Sequence, residues 1–405
     1  MIFKKDIGDE DSMSVSKSIF RMLSTFFSDI FQIICNQSRI NNVVVFESFN
    51  RKYTDSPKAI SEAFHKEYPN VQIIWVVRNV HSSDIPPYSK AIKYNSLKHL
   101  YYQATAKIYV DNYVGKYTYK ITKRNSFLRR LKREGQYNIS IWHGTPLKRL
   151  ANYNAEDEVF STSDLFVSGS DYNTRAVLGS FKLNIQTLNV GLPRNDILFN
   201  LTFDKKRDIR KKLGIPLDKK FVLFAPTFRD NAKLSSVNLL QTINIPLILD
   251  AFSKRFGEEW VMAFRVHPKM ADSIIALKDN LYDNVQVFDG NIENDMGNYL
   301  ATCDALISDY SGSLFDIALI DTPSFIFCED VEKYKNDRGL IFDLDQMPQS
   351  VARNTAELVN NILFFDLKRY SEKRKCFLSA IGDHESGNAS NSVAKIIAEK
   401  LQCNA

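Results

Sequence analysis

Short apolar runs alternate with longer amphipathic stretches along the chain from Asn41 onward. This alternation predicts repeated strand–helix–strand units and therefore a parallel sheet. The pattern occurs twice, before and after a polar stretch over 204–220 that is rich in charge. The first series predicts strands over Asn42–Phe46, Val71–Val77, Lys107–Asp111, Asn138–Trp142, Leu165–Ser168 and Gln186–Gly191. The second series predicts strands over Phe221–Ala225, Trp260–Val266, Val285–Phe288, Ala305–Ser308 and Ser324–Phe327.

The two series predict an α/β protein with two Rossmann-like, doubly wound domains that face each other across a cleft. Ligands of such sheets bind beside the carboxyl ends of the strands, so we expect the chemistry in the cleft. The expected divisions are an amphipathic segment over 1–40, a first domain over 41–200, a charged linker with a short helix over 201–220, a second domain over 221–355 and C-terminal helices over 356–405.

Two further stretches bear on membrane contact. Residues 13–35 place Phe, Ile and Leu at helical spacing, which predicts an amphipathic helix that either packs on its own domain or lies in the plane of a membrane. Residues 116–133 contain eight Lys and Arg and no Asp or Glu. Such a cluster is either a solvated face or a seat for anionic lipid or a polyanionic chain, with about 1 kcal/mol per basic residue near anionic lipid. The sequence leaves both pairs of alternatives open.

Composition excludes several classes of protein. With 44% hydrophobic and 25% charged residues, the chain is expected to fold as a globular protein. A net charge of +6 over 405 residues does not require a nucleic acid partner. The five cysteines are odd in number and form no CxxC pair, so neither a disulfide framework nor a zinc site is expected. No apolar run approaches the ~18 residues that span a bilayer and no signal peptide opens the chain, so we expect no membrane crossing.

Two of the six histidines directly follow predicted strands and are the candidates for catalysis. His143 stands in the segment WHGTPLK, where Gly144 allows a close approach of the backbone and Thr145 precedes a proline that opens a helix. His267 stands in the segment RVHPK, between two cations. A histidine that merely ends a strand is the alternative interpretation of each.

The second predicted sheet also ends in residues suited to anions. The stretch 308–313 runs from a strand into small hydroxylated residues, a glycine and a helix start, where backbone N–H groups suit a phosphate or diphosphate. Ordinary capping of that helix is the equal alternative. Thr227 and Arg229 follow another strand, and there an ion pair of Arg229 with Asp230 is the alternative to phosphate binding.

Other reaction classes lack their motifs. The chain contains no P-loop, no GxGxxG after a strand, no GxSxG and no HExxH. No acidic pair of DxD type lies at a strand end, although Asp343–Asp345 matches that pattern at a poor location, so we expect no metal and no cofactor. The remaining cations, imidazoles and hydroxyls fit group transfer from a nucleotide diphosphate donor without a metal.

Six segments between residues 42 and 345 together carry a family resemblance. The segments are Phe46–Phe49 with Tyr53–Lys58, Trp142–Lys148, Gly191–Asp196, Ala225–Asp230, Arg265–Pro268 and Ser308–Ser311. In this order they resemble the CDP-glycerol glycerophosphotransferases of teichoic acid and capsule synthesis. The resemblance implies the two-Rossmann glycosyltransferase B arrangement, a CDP-glycerol or CDP-ribitol donor, and a lipid-linked or polymeric polyol-phosphate acceptor. It also implies a peripheral enzyme on the cytoplasmic face of the cell membrane, in contact with its anionic surface.

On this hypothesis an acceptor hydroxyl attacks the distal phosphorus of the donor and CMP leaves. His143 is the expected general base, since the imidazole pKa of ~6.5 allows it to take a proton at neutral pH. His267 is expected to hold the diphosphate and to neutralise charge on the leaving CMP. Asp316 is expected to reach the ribose. The other expected diphosphate ligands are Arg265, Lys269, Thr227, Arg229, Ser308, Ser311, Gly312 and Ser313, and the expected acceptor-side residues are Gly144, Thr145 and Lys148.

Two alternatives keep the same fold. One is a transferase that uses a nucleotide sugar for capsule or surface polysaccharide, because a fold alone does not select the donor. The other is a membrane-docking scaffold that has lost catalysis, against which both cleft histidines argue. The release of CMP, UMP or UDP from different donors distinguishes the three hypotheses.

Overall fold

The computed structural model describes residues 33–49, 51–113, 119–120, 132–150, 159–227, 243–266, 285–289 and 295–402, together with residues 27, 30 and 31. Over these ranges the chain has an α/β fold built on two parallel sheets. A separate antiparallel pair joins two short strands of the first half. That pair consists of β5 (Tyr119–Lys120) and β7 (Val159–Phe160).

The first sheet contains seven parallel strands. They are β1 (Asn41–Glu47), β2 (Ile73–Val77), β3 (Ser89–Lys93), β4 (Ala106–Asp111), β6 (Tyr137–Ile141), β8 (Leu165–Ser168) and β9 (Gln186–Asn189). Their spatial order is β3-β2-β1-β4-β6-β8-β9, so the direction of winding reverses between β1 and β4. Every residue of β2 and β8 is buried, which explains their continuous apolar runs.

The second sheet contains six parallel strands. They are β10 (Lys220–Ala225), β11 (Trp260–Val266), β12 (Val285–Asp289), β13 (Ala305–Ser308), β14 (Ser324–Phe327) and β15 (Ser350–Ala352). Their order is β12-β11-β10-β13-β14-β15, with the reversal between β10 and β13. The register pairs Ala225 with Ser308, so the loops that follow these two strands leave the sheet side by side.

Helices connect the strands and cover the sheets. They are α1 (Asp55–Glu67), α2 (Leu97–Thr105), α3 (Asp171–Ser180), α4 (Asp196–Asn200), α5 (Phe203–Lys212), α6 (Ile245–Phe256), α7 (Met296–Thr302), α8 (Ser313–Ile317), α9 (Val331–Arg338), α10 (Thr355–Leu363), α11 (Leu367–Ile381) and α12 (Ala389–Leu401), with 3₁₀ turns at Pro193–Asn195 and Leu344–Gln346. Local chemistry sets several ends. Asp366, for example, caps α11 by accepting the Arg369 N–H, and Gly382 ends that helix in the left-handed conformation.

The last helix crosses back to the first sheet. Val393 and Ile397 of α12 pack with Ile60 and Phe64 of α1 in the core beneath that sheet. The second sheet is covered differently, since α6 and α10 pack on one of its faces. The segment 382–388 therefore links a helix near the second sheet to a helix on the first.

All eleven strands predicted from the sequence are present, with ends that differ by at most two residues. Besides the short antiparallel pair β5 and β7, the sequence pattern misses two edge strands of the parallel sheets, β3 and β15. Only one of the five residues of β3 is buried, and β15 has only three residues, so neither gives a clear apolar signal. The predicted helix within the charged stretch is confirmed as α5. The helix start predicted in the stretch 308–313 is confirmed, since α8 begins at Ser313 and ends at Ile317.

The two stretches predicted for membrane contact lie largely outside the described residues. The described positions between 27 and 35 are helical, and Phe27 and Ile34 there are 65% and 61% exposed. In the basic cluster, Lys132 pairs with Asp164, and Arg133 donates to the carbonyl of Ala104 at 2.8 Å. These two of the eight cations therefore serve contacts inside the chain.

Candidate active site

A cavity of about 210 Å³ lies where the carboxyl ends of the two sheets meet. Three residues of the predicted site, His143, Arg265 and Asp316, line it together. Its other lining residues are Phe49, Thr54, Asp55, Arg194, Asn195, Asp295, Met296, Gly297 and Leu300. Residues that are distant in sequence, and that follow strands of both sheets, therefore share one polar hollow.

The His143 imidazole is held between aromatic rings and a backbone carbonyl. Phe49 stacks on it with ring centroids 4.4 Å apart. The Trp142 ring is tilted by 34° to the imidazole, and the centroids of these two rings are 4.1 Å apart. Its Nδ1 lies 3.3 Å from the carbonyl oxygen of Asn112, the residue that follows β4. A carbonyl only accepts hydrogen bonds, so Nδ1 carries the proton and Nε2 of the neutral ring is left as the acceptor.

Burial lowers the pKa of His143 to about 4. The Asp55 carboxylate and the Asn112 carbonyl act in the opposite direction, whereas the Arg194 and Lys148 cations lower the pKa further. The imidazole is therefore neutral at physiological pH. A neutral ring whose Nε2 is unprotonated has the state that a general base requires.

Arg194 bridges the two halves of the cavity. Its Nη1 donates to the carbonyl oxygen of His143 at 3.0 Å, and its Nη2 pairs with the buried Asp316 of α8. The Asp55 carboxylate lies 3.8 Å from Nη1. These two carboxylates raise the pKa of the guanidinium. A second bridge, between Lys58 Nζ and Asp295 Oδ2 at 3.0 Å, joins the same two halves.

Asp55 combines this charge with a strained backbone. It is a non-glycine residue with a φ of 64°, at the first position of α1. Such conformations carry strain and collect at functional sites. Asp55 and Arg194 are not among the site residues predicted from the sequence, although both lie in segments of the family resemblance. The signal available was the position of Arg194 in a loop that directly follows a strand.

Two predicted glycines are required by close approaches. A Cβ on Gly144, which has a φ of 127°, would lie 2.6 Å from Arg194 Nη2. A Cβ on Gly312 would lie 2.7 Å from the carbonyl oxygen of Thr145. Gly144 thus leaves room for the bridging guanidinium, and Gly312 lets the loop after β13 touch the loop after β6.

The hydroxyls of the second sheet mainly bond to other protein groups. Thr227 donates its hydroxyl and its backbone N–H to the carboxylate of Asp309, the N–H at 2.9 Å. Ser308 is buried and donates to the carbonyl oxygen of Ala225 at 2.7 Å. Each hydroxyl has one hydrogen, so in this arrangement neither has a hydrogen to offer a phosphate. Their assignment to the donor diphosphate stays a prediction.

The loop that precedes α8 offers a small hydroxyl cluster. Ser313 donates its hydroxyl to Ser311 Oγ at 2.9 Å, and Ser311 is partly exposed. Gly312 stands at the amino end of α8, where the Ser313 N–H donates to Ser311 Oγ at 3.3 Å. Asp316, predicted to contact the ribose, is the partner of Arg194.

The remaining predicted residues fall into two groups. Arg265 lies with its guanidinium carbon 5.0 Å from the Tyr299 ring centroid, on the cavity wall. Thr145 accepts from the Asn173 side chain at 3.4 Å, and Lys148 forms an isolated antiparallel β-bridge with Leu340, which lies between α9 and β15. The predicted site residues that lie outside the described ranges are His267, Lys269 and Arg229.

Two kinds of feature are absent from the described ranges. No cluster of three or more His, Cys, Asp or Glu side chains with the spacing of a metal site occurs among them. In the same part of the chain, no helix combines the length and apolar character needed to span a membrane.

Comparison with known proteins gives consistent matches. A sequence model of the family CDP-glycerol:poly(glycerophosphate) glycerophosphotransferase matches residues 30–399. A teichoic acid poly(glycerol phosphate) polymerase of Staphylococcus epidermidis is 31% identical over 89% of this chain and 51% of its own length. A protein of the same name from Bacillus spizizenii is 28% identical over 92% and 96% of the two chains. This chain therefore spans about half the length of the first relative and nearly all of the second.

A solved structure is similar over the same range. The wall teichoic acid polymerase TagF, as a histidine-to-asparagine variant soaked with CDPG, superposes with a TM-score of 0.77. The two sequences are 27% identical, and the match covers 99% of both chains. The strand order described above is thus shared with a protein of related sequence.

Proposed function

This chain belongs to the CDP-glycerol:poly(glycerophosphate) glycerophosphotransferase family, and on that premise we propose that it is a polyol-phosphate transferase. It moves glycerol phosphate, or ribitol phosphate, from a CDP-activated donor to a hydroxyl of a lipid-linked or polymeric acceptor and releases CMP. The names of both relatives favour glycerol phosphate as the group transferred. The observation that carries the proposal is a neutral imidazole on the wall of the cavity between the two sheets.

The proposed reaction is an in-line displacement. The acceptor oxygen forms a bond to the distal phosphorus of the donor while the bond from that phosphorus to the bridging oxygen breaks. The proton of the acceptor hydroxyl moves to Nε2 of His143, and the bridging oxygen leaves with CMP. Asp55, whose negative charge raises the pKa of that ring, stabilises the imidazolium that forms. Gly144, Thr145 and Lys148 border the acceptor in this proposal.

The donor side of the proposal rests on cations from the second sheet. Arg265, on the cavity wall, neutralises charge on the diphosphate as it develops on the leaving CMP. His267 and Lys269 share this role by their position directly after β11. The partly exposed Ser311 is the hydroxyl best placed to reach phosphate. The proposal keeps Asp316 as the candidate for the ribose, and it keeps as further candidate ligands of the diphosphate Thr227, Arg229, Ser308, Gly312 and Ser313.

The arrangement proposed for the chain is the glycosyltransferase B type. Two doubly wound domains, over 41–200 and 221–355, enclose the donor at the reversal points of their sheets, joined by the segment 201–220. The segment over 1–40 and the helices over 356–405 complete the proposed division. Exposed apolar side chains between residues 27 and 35 support an in-plane contact with the cytoplasmic face of the membrane. Anionic lipid is the proposed surface, because the stretch 116–133 contains eight Lys and Arg and no Asp or Glu.

One assay tests the proposal directly. Purified full-length protein is incubated with CDP-glycerol, CDP-ribitol and several nucleotide sugars, each with and without a lipid-linked acceptor. We expect acceptor-dependent CMP release from a CDP-polyol and none from the sugars. UMP or UDP release would identify a nucleotide-sugar transferase instead. The absence of any nucleotide release would leave the fold without this activity and overturn the proposal.

A further inference from the structure

A buried carboxyl group connects the C-terminal crossover to the cavity. Glu385 lies in the segment 382–388, between α11 and α12. Its Oε1 accepts two hydrogen bonds from the turn that follows β9, from Leu192 N at 3.0 Å and from Asn195 Nδ2 at 2.8 Å. Asn195 lines the cavity. A side chain more than 180 positions later in the sequence thus holds a turn of the active site.

Two glycines form the seat of this carboxyl group. A Cβ on Gly169 would lie 2.6 Å from Oε1, and a Cβ on Gly191 would lie 2.7 Å from Oε2. Neighbouring contacts fix the same segment, because His384 N donates to the carbonyl oxygen of Gly169 at 2.9 Å. Asp196, at the other end of the turn, accepts the backbone N–H groups that begin α12. The crossover and the turn are therefore interlocked at several points, with Glu385 in the centre.

The turn held by Glu385 carries the bridging arginine. Arg194 lies between the two hydrogen-bonded positions Leu192 and Asn195, and its guanidinium contacts the backbone carbonyl of His143. We propose that Glu385 is a positioning residue, whose carboxyl group fixes this turn so that Arg194 spans the cavity and holds the loop of His143. The inference rests on the proposed transfer reaction for its kinetic test, although its structural test does not.

Burial and two neighbouring carboxylates favour the protonated acid of Glu385. Burial is the main cause, and it raises the pKa of this carboxyl group to about 8. The Asp316 and Asp383 carboxylates face it and act in the same direction. The hydrogen bonds from Leu192 N and Asn195 Nδ2 lower this pKa, and the Arg194 cation, which faces the group from the turn, also favours the ionised form. Oε2 has no hydrogen-bond partner within the described ranges, as suits the oxygen that carries the proton.

The experiment compares full-length wild type with E385Q and E385A, and uses E399Q as a matched control on the exposed face of α12. Amide hydrogen exchange of residues 191–196 is the structural readout. We expect exchange of the Leu192 amide to accelerate about 10-fold or more in E385A, because its acceptor is lost, and to stay near the wild-type rate in E385Q, which keeps Oε1. Exchange in E399Q should match that of wild type.

The kinetic readout separates positioning from general destabilisation. Turnover by E385A should fall about 10- to 100-fold, the usual effect of a misplaced catalytic loop, and E385Q should restore it. An unchanged Leu192 exchange rate in E385A, or turnover by E385Q as low as that of E385A, overturns the inference.

The two proposals fail in different ways. If wild type releases no CMP from any donor, the proposed function fails, and hydrogen exchange still tests whether Glu385 fixes the turn.

Thermal melting adds a test that needs no activity. Between the ordinary glutamate pKa of 4.5 and the raised value, the folded chain keeps a proton that the unfolded chain has lost, so wild-type stability should fall as pH rises. The difference in melting temperature between E385Q and wild type should therefore change with pH. It should shift in favour of E385Q by roughly 3 °C or more between pH 5 and pH 8. A constant difference contradicts the buried neutral acid.

Discussion

The reversal points of the two sheets have the same strand order and opposite chemical character. Beside β1 and β4, the imidazole of His143 is clamped by Phe49 and by a carbonyl, and one nitrogen is left as an acceptor. Beside β10 and β13, by contrast, Thr227 and Ser308 donate to Asp309 and to Ala225. We call the loops at these two reversal points the first edge and the second edge. The first edge presents an imidazole with an acceptor nitrogen, whereas the polar groups of the second edge bond mainly to one another.

This difference separates two kinds of contribution to a site. Topology determines where ligands bind, because both sheets open at their reversal points. The loop chemistry determines what happens there. The carboxylate of Asp309 ties the loop after β10 to the loop after β13, so the two loops form one hydrogen-bonded frame. At the other edge, Arg194 ties His143 to the second sheet.

Removing the imidazole is the strongest test of this contrast. His143→Ala should lower kcat/KM for CMP release by 10²- to 10⁴-fold, roughly the contribution of a general base. The exposed His81→Ala is the matched control and should keep wild-type activity. Steady-state kinetics with a CDP-polyol and an acceptor measure the effect, and circular dichroism verifies the fold. Full turnover by His143→Ala would remove this residue from the proposed mechanism.

The bridge between the edges should matter for stability as well as for activity. Arg194→Ala leaves the buried Asp316 carboxylate without its cation, which should cost about 3 kcal/mol in the free energy of unfolding. Urea denaturation measures this cost, with the exposed Arg175→Ala as control. Adding Asp316→Leu should recover part of the loss, because no buried charge then remains. A single Arg194→Ala variant as stable as wild type would mean that the bridge contributes nothing.

The same contrast shows which parts of the fold and of the candidate site can be predicted from the sequence. Apolar runs were sufficient to predict the central strands of both parallel sheets, because those strands are buried on both faces. The position of His143 followed from its place after a strand. Arg194 and Asp55 were not predicted as site residues, since charged residues in loops are common. Only the fold brings these two together across the cavity. Glu385 gave no local signal at all, because its partners lie more than 180 positions away.

The same limit applies to the hydroxyls of the second edge. Thr227 and Ser308 have the residue types and positions of phosphate ligands, and a sequence cannot tell a hydroxyl that faces a ligand from one that bonds to the neighbouring strand. The register of β10 against β13 decides this, since it sets Ser308 opposite Ala225. That register depends on contacts between distant segments and is therefore visible only in the structure.

A smaller effect is expected at this second edge. Thr227→Val removes the hydroxyl that donates to Asp309, and the loss of a hydrogen bond to a charged group should reduce the free energy of unfolding by about 1.5 kcal/mol. Thr227→Ser keeps the donor and should stay close to wild type. Chemical denaturation of the three proteins gives the difference. A valine variant with wild-type stability would show that the frame does not depend on this bond.

The smallest expected effect concerns the charge beside the imidazole. In wild type the pKa of His143 is lowered to about 4, so the neutral base persists through mildly acidic pH and kcat/KM should fall only below pH 5. Asp55 raises that pKa, so Asp55→Asn should move the acidic decline to still lower pH, by less than about one unit. The exposed Asp84→Asn is the matched control. Histidine NMR titration reads the same shift without turnover. A shift to higher pH would mean that Asp55 does not act on the ring as an anion, and the stabilisation proposed for the imidazolium would have to come from another group.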